Sequence, residues 1–116
     1  MNVEGWEMDL SLDLTETGLQ MFFKPYQIEA LDLLWKNNKY TSSREVWEKV
    51  NQTLPGTISR ASIFNFLNAS VENGLLDYEE TTGKGGYRRL YSAKFSRVEI
   101  KSFLSKKIQK HLQTLP

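Results

Sequence analysis

Residues 42–76 read SSREVWEKVNQTLPGTISRASIFNFLNASVENGLL, with a helix-capping pattern on each side of a proline–glycine break. Ser42 and Glu45 form a capping box, in which each side chain caps the other residue's backbone N–H at a helix start. Ser59 is a second N-cap. The residues between, 54–57, contain adjacent proline and glycine and break the chain. Gly74 stands where a helix often ends in the left-handed conformation. The stretch therefore predicts two helices joined by a short turn.

Apolar residues at helical spacing support both helices. The first helix runs to about Thr53, with Val46 and Val50 on its buried face. In the second, Ser59 precedes a stripe, and Phe64 beside it is expected in the core. The stripe consists of Ile63, Phe66, Leu67 and Val71.

An earlier helix begins at Lys24-Pro25, because proline at the first helical position loses no hydrogen bond. Its apolar stripe ends near Asn37-Asn38, and residues 39–41 form a short extended link. The stripe consists of Ile28, Leu31, Leu34 and Trp35.

The segment 75–93 is predicted to be a β-hairpin, because the glycine-rich residues 82–87 supply a turn. With the tip at Lys84-Gly85, the register pairs Leu76 with Ala93, Tyr78 with Tyr91, Glu80 with Arg89 and Thr82 with Tyr87. This register places apolar pairs near the base of the hairpin and an opposite-charge pair further out.

A last helix follows a second capping box, Ser96 with Glu99. Its apolar stripe either covers the core of its own domain or forms half of a subunit interface, and the second alternative predicts a homodimer. The dimerisation residues in that case are Ile100, Leu104, Ile108, Leu112 and Leu115.

Residues 1–23 carry five acidic side chains and no lysine or arginine. Residues 24–116 hold all 15 basic and the other 9 acidic residues, a net of +6. Such an acidic arm on a basic body fits a negatively charged partner. Within the arm, apolar Met8, Leu10, Leu12 and Leu14 alternate with polar residues, which predicts a strand with one apolar face.

The order of elements predicts a mainly α protein with a small β-hairpin, a winged helix-turn-helix. It divides into an acidic N-terminal arm over 1–23, a winged-helix domain over 24–95 and a C-terminal dimerisation helix over 96–116. The chain from Tyr26 to Tyr91 resembles the penicillinase-repressor and copper-transport-repressor family of winged-helix regulators. The resemblance lies in the Leu34-Trp35 pair, in Thr41–Val46 and in the Gly74-Leu75 pair that follows the helix after Ser59. It implies a DNA-binding transcriptional repressor.

In such a fold the second helix of the helix-turn-helix reads bases in the major groove, while basic side chains contact phosphates. Arginine pairs with guanine and asparagine with adenine. The protein is therefore expected to bind double-stranded DNA; a winged-helix protein–protein module without DNA binding is the alternative. The candidate DNA contacts are Ser59, Arg60, Ser62, Asn65 and Asn68 on the helix, Lys84 and Arg88 on the hairpin, and Arg44.

Arg88 is preferred to Arg89 on the hairpin, because Arg89 opposes Glu80 in the predicted register. The two arginines should point to opposite faces of the hairpin.

Other functions find little support in the residues. The chain has no cysteine and a single histidine, His111, so neither thiol chemistry nor a metal site is expected. No catalytic constellation is present, and neither an enzyme nor a cofactor is predicted. Without an apolar run of membrane length or a signal-peptide pattern, we expect a cytoplasmic protein with no membrane partner.

Overall fold

The computed structural model describes residues 12–54, 56, 58–83 and 86–115. A 3-10 turn over Gly18–Met21 precedes the helix α1, Pro25–Asn37, and the two-residue strand β1, Thr41–Ser42. The helices α2, Ser43–Thr53, and α3, Arg60–Glu72, come next. The strands β2, Leu76–Gly83, and β3, Gly86–Ala93, lead to the last helix α4, Arg97–Leu112. The predicted order of helices and hairpin is confirmed, and the fold is a winged helix.

The core forms where α1, α2 and α3 meet, because each helix turns one apolar stripe inward. Leu31 and Leu34 of α1, Val46 of α2, and Ile63 and Leu67 of α3 are buried in one cluster. Other stripe members, among them Ile28, Trp35 and Val71, are partly buried against this cluster.

The helix starts follow the predicted caps, although at Ser42 only half of the predicted capping box forms, because the Glu45 side chain does not accept from Ser42 N. The hydroxyl oxygen of Ser42 accepts a hydrogen bond from Glu45 N, and that of Ser59 accepts one from Ser62 N. At the start of α4, Ser96 and Glu99 make the reciprocal capping box. Gly74 ends α3 with a φ of +88°, a conformation that side chains with a Cβ rarely adopt.

The hairpin has the register predicted from its turn. Leu76 pairs with Ala93, Tyr78 with Tyr91, Glu80 with Arg89 and Thr82 with Tyr87. The link before α2 contributes a third strand, in which Thr41 pairs with Tyr91. The sheet order is therefore β1-β3-β2 and places β3 at its centre.

The first part of the last helix packs on its own domain, and the remaining part extends beyond the domain core. Ile100 and Leu104 are buried in the domain core, each 4% exposed. Ile108 is half-buried, and Leu112 and Leu115 are 56% and 66% exposed. The predicted stripe thus has two parts, because the domain ends before the helix does.

Side-chain contacts tie the start of α4 to α1. The Arg97 guanidinium lies 2.6 Å from the Asp32 carboxylate, and the Trp35 indole N–H donates to Phe95 O at 3.0 Å. The ring centroids of Phe95 and of Phe103 on α4 lie 4.9 Å apart.

The prediction of a strand in the N-terminal arm is wrong for the part of the arm that the structure describes, from residue 12 onward. Leu12 lies outside any regular element and Leu14 lies in a turn; both are exposed, while Asp13 N donates to Met21 O at 2.7 Å. This turn forms because the Asp13 carboxylate accepts from both Thr15 N and Thr15 Oγ1. Met8 and Leu10 lie outside the described residues. In the part of the chain that the structure describes, no helix is long and apolar enough to cross a membrane.

Candidate nucleic-acid interface

The N-terminal half of α3 presents a polar face to solvent. Arg60 and Asn65 are exposed, as is the capping residue Ser59. Ser62 is half-buried and its hydroxyl bonds to that of Ser59 at 2.9 Å. The free N–H groups and dipole of a helix start favour anions such as phosphate. The predicted contacts Ser59, Arg60, Ser62 and Asn65 thus lie together at the start of α3.

The turn between α2 and α3 is held by two side chains of α2. The Trp47 indole N–H donates to Ile58 O at 2.8 Å. The Asn51 amide donates to Ile58 O and accepts from Ile58 N, at 3.3 and 3.2 Å. The Arg60 guanidinium lies 5.6 Å from the centre of the Trp47 ring. Contacts from α2 thus set the angle of α3 and the position of Arg60, the first residue of that helix.

We expect Asn51→Ala to lower the free energy of unfolding by about 1–2 kcal/mol, because the backbone groups of Ile58 lose their amide partner. Urea denaturation of the variant measures this loss. Gln52→Ala is the matched control, since Gln52 is the exposed neighbour of Asn51. Equal stability of the two variants would contradict the role of Asn51 in holding the turn between α2 and α3.

Phe64 is not in the core. Its side chain is 53% exposed on α3, where the sequence predicted burial. The reason is that Ile63, Phe66 and Leu67 already occupy the inward face, and Phe64 follows Ile63 onto the outward one. The exposed ring adds an apolar contact next to Arg60 and Asn65, of the kind that suits a thymine methyl group.

Asn68 is engaged within the protein. Its amide oxygen accepts from Arg89 Nη1 and from the Tyr91 hydroxyl, both at 2.9 Å. Its amide nitrogen donates to Phe64 O at 2.9 Å. Burial raises the pKa of Tyr91, so the hydroxyl stays protonated and keeps donating. The predicted base contact of Asn68 would require these bonds to break, whereas Asn65 is exposed.

The two hairpin arginines lie on opposite faces, as the sequence predicted. Arg89 faces α3, where its guanidinium also lies 4.1 Å from the centre of the Tyr78 ring. Arg88 is exposed on the other face. Alternation along the paired strands places Asp77 and Glu79 on that same face. Arg88 therefore has an acidic neighbourhood, which reduces its attraction for phosphate.

The remaining candidates lie apart from α3. Arg44 is exposed on α2 and its side chain pairs with Glu48 at 3.4 Å, a weak surface ion pair. Lys84 lies outside the described residues. Within residues 12–54, 58–83 and 86–115, no cluster of histidine and carboxylate side chains is suited to hold a metal ion.

Sequence reasoning preferred the core for Phe64 and did not single out a second aromatic side chain at this surface. Besides Phe64, Tyr87 is 80% exposed near the end of the hairpin. The alternation of the strands places it on the same face as Arg89, toward α3. The confirmed register already contained this signal, because it pairs Tyr87 with Thr82 far from the buried base.

No protein-family model matches the chain, and no curated protein matches its sequence. Solved structures do share its fold. A possible transcriptional regulator from Methanosarcina mazei Go1 superposes with a TM-score of 0.60 at 11% identity, covering 78% of this chain and 72% of that one. A putative transcriptional regulator from Thermoplasma acidophilum gives 0.54 at 19% identity, covering 78% and 91%. The Helicobacter pylori ferric uptake regulator Fur gives 0.54 at 18% identity, covering 84% and 74%. These likenesses establish the fold.

Proposed function

We propose that the protein is a sequence-specific double-stranded DNA-binding transcriptional regulator that acts as a repressor. The observation that carries this proposal is the exposed N-terminal half of α3, where Arg60, Phe64 and Asn65 form one polar and apolar reading surface. The hydrogen bonds of Trp47 and Asn51 with the Ile58 backbone hold this surface at a defined angle, which base reading requires. The structural neighbours named as transcriptional regulators support the same function.

The DNA approaches from the side of α3 and the Arg89 face of the hairpin. The opposite face carries Asp77 and Glu79 beside Arg88, whereas the Arg89 face carries one acidic residue, Glu80, so phosphates are repelled less on the Arg89 face. On the side of α3 and Arg89, the side chains that α3 presents to DNA are mostly uncharged, and Arg60 is the cation among them. Affinity for the DNA backbone therefore comes from a few contacts, and we propose Lys84, which lies in the sequence between β2 and β3, as one of them.

The repressor acts as a homodimer through the distal part of α4. An apolar groove of about 500 Å³ runs between the 3-10 turn and α4, lined by Leu19, Met21, Phe22 and Ile108 among others. Leu112 is the last residue of this helix, and Leu115, which the sequence placed on the helix, lies just beyond its end; both are exposed. A two-fold pairing lets the exposed leucines of each copy enter the groove of the other. It also places two α3 helices about 34 Å apart, one turn of DNA.

Binding to a pool of genomic duplex fragments across a salt series tests the DNA-binding function. The logarithm of affinity should fall linearly with the logarithm of salt, and each lost phosphate contact should reduce the slope by about 0.9. Lys84→Ala should weaken binding to all sequences equally. Lys36→Ala is the control, because Lys36 pairs with Asp32 near the far end of α1. Undetectable binding at low salt contradicts the proposal.

One observation favours the alternative of a protein–protein module. The rings of Phe64 and Tyr87 are 53% and 80% exposed on the side of α3, and exposed aromatic rings are enriched at protein interfaces. The salt series separates the two functions, since a module of this kind has no affinity for duplex DNA.

A further inference from the structure

The apolar groove between the 3-10 turn and α4 is formed within one copy of the chain. Its volume of about 500 Å³ lies within the range of about 300–1,000 Å³ that is usual for small-molecule sites. The buried side chains of Ile100 and Leu104 line it from the side of the core. Its half-buried apolar lining consists of Leu19, Met21, Phe22 and Ile108. The groove therefore offers a continuous apolar surface to an occupant without any rearrangement of the core.

Two cations, Arg97 and Lys101, also line this groove, and no acidic side chain lines it among the residues that the structure describes. They lie one turn apart on the same face of α4. Lys101 is exposed and makes no ion pair with another described residue. Arg97 donates to Asp32 through one of its nitrogens, and a guanidinium has five N–H donors, so donors remain for a second carboxylate. An occupant that uses the whole lining therefore carries a negative charge.

The order of the lining residues along α4 defines the shape of this occupant. The cations lie in the first turns of the helix, and Ile108 follows seven residues after Lys101, about 10 Å further at the rise of an α-helix. A carboxylate at one end of an unbranched acyl chain matches this order. Hydrogen bonds from Arg97 and Lys101 to a carboxylate are charge-assisted, and the chain buries its methylene groups along Leu104 and Ile108.

We propose that this groove binds a medium-chain fatty acid in its carboxylate form, and that the bound fatty acid weakens dimerisation and DNA binding. The acyl chain occupies the apolar space that Leu112 of a second copy enters in the proposed dimer. The fatty acid and the second copy therefore exclude each other, and each lowers the affinity for the other by the same factor. The regulatory half of the proposal rests on the proposed function, whereas the binding half concerns a single copy.

An NMR titration of the full chain with decanoate, kept below the concentration at which micelles form, tests the binding half. We expect saturable shifts of the backbone amides of Leu19, Met21, Lys101 and Ile108. Butanoate keeps the charge and lacks the long chain, whereas decyltrimethylammonium keeps the chain and reverses the charge, and each should bind at least tenfold more weakly. Absent or unsaturable shifts, or equal binding of decyltrimethylammonium, overturn the proposal.

Lys101→Ala tests the charged end of the site. The change should weaken decanoate binding about tenfold and leave the Tm unchanged, because Lys101 is exposed and has no ion pair to lose among the described residues. Lys106→Ala is the matched control, since Lys106 is exposed on α4 outside the groove lining and should alter neither value. Ile108→Ser tests the apolar end and should weaken decanoate binding to a similar extent. Decanoate affinity that is the same in Lys101→Ala and Lys106→Ala contradicts the site.

Light scattering and fluorescence anisotropy with labelled duplex DNA test the regulatory half. Saturating decanoate should reduce the wild-type mass from twice the 13.5 kDa chain mass to the single mass and weaken DNA binding at least fivefold. In Lys101→Ala both changes should require about tenfold more decanoate. Decanoate binding with unaltered mass and DNA affinity overturns the regulatory half alone. A wild type that is monomeric from the start overturns that half together with the proposed dimer, while the NMR titration still decides whether the groove is a fatty-acid site.

Discussion

Leu104→Ala is expected to destabilise the domain, whereas Leu112→Asp is expected to leave it folded and convert a dimer into a monomer. Leu104 is 4% exposed in the core, and truncating such a leucine costs about 2–5 kcal/mol. Leu112 is 56% exposed on the same helix, so a charge there meets solvent within one copy and an apolar surface in the dimer. The two residues thus separate folding from association.

Light scattering at micromolar concentration and urea denaturation measure the two effects. The wild type should have twice the 13.5 kDa chain mass, and Leu112→Asp the single mass with a full helical signal. Val98→Asp is the matched control, since Val98 lies on α4 and is 85% exposed. A wild type of 13.5 kDa, or a Leu112→Asp variant that remains dimeric, contradicts the interface.

The second large effect distinguishes the two asparagines of α3. Asn68→Ala should lower the free energy of unfolding by about 2–3 kcal/mol, because it removes bonds to a buried tyrosine and a guanidinium. It should also weaken DNA binding for all sequences alike, since the hairpin loses its link to α3. Asn65→Ala should leave stability unchanged and relax base preference at one position by about 1–3 kcal/mol.

Urea denaturation and competition binding with single-base variants of the site measure both changes. Gln109→Ala, at an exposed position of α4, is the control and should alter neither quantity. If Asn68→Ala relaxed preference at a single base and kept full stability, Asn68 would be a base-reading residue and the assigned link would be wrong.

Most of the fold could be predicted from local signals. The caps at Ser42, Ser59 and Ser96 and the glycine-rich segment 82–87 act within a few residues, and the helix starts and the hairpin register were predicted from them. The strand Thr41–Ser42 was read only as an extended link, because its pairing depends on β3, some 50 residues further along the chain.

The site was predicted less completely, because its contacts come from distant parts of the sequence. Asn68 has the residue type of a base reader, yet its amide oxygen binds Arg89 and Tyr91, over 20 residues away. Phe64 was assigned to the core because aromatic residues usually lie there, although its neighbours had already filled the inward face.

Selection of a binding site from random duplex DNA, followed by affinity measurements at one salt concentration, tests whether α3 reads a specific DNA sequence. The wild type should bind the selected site about 10³-fold or more tightly than a scrambled duplex. Arg60→Ala should lower affinity for the selected site by about 1–3 kcal/mol while retaining most affinity for the scrambled one. Failure to enrich any sequence, or equal loss on both duplexes in Arg60→Ala, would contradict sequence reading by α3.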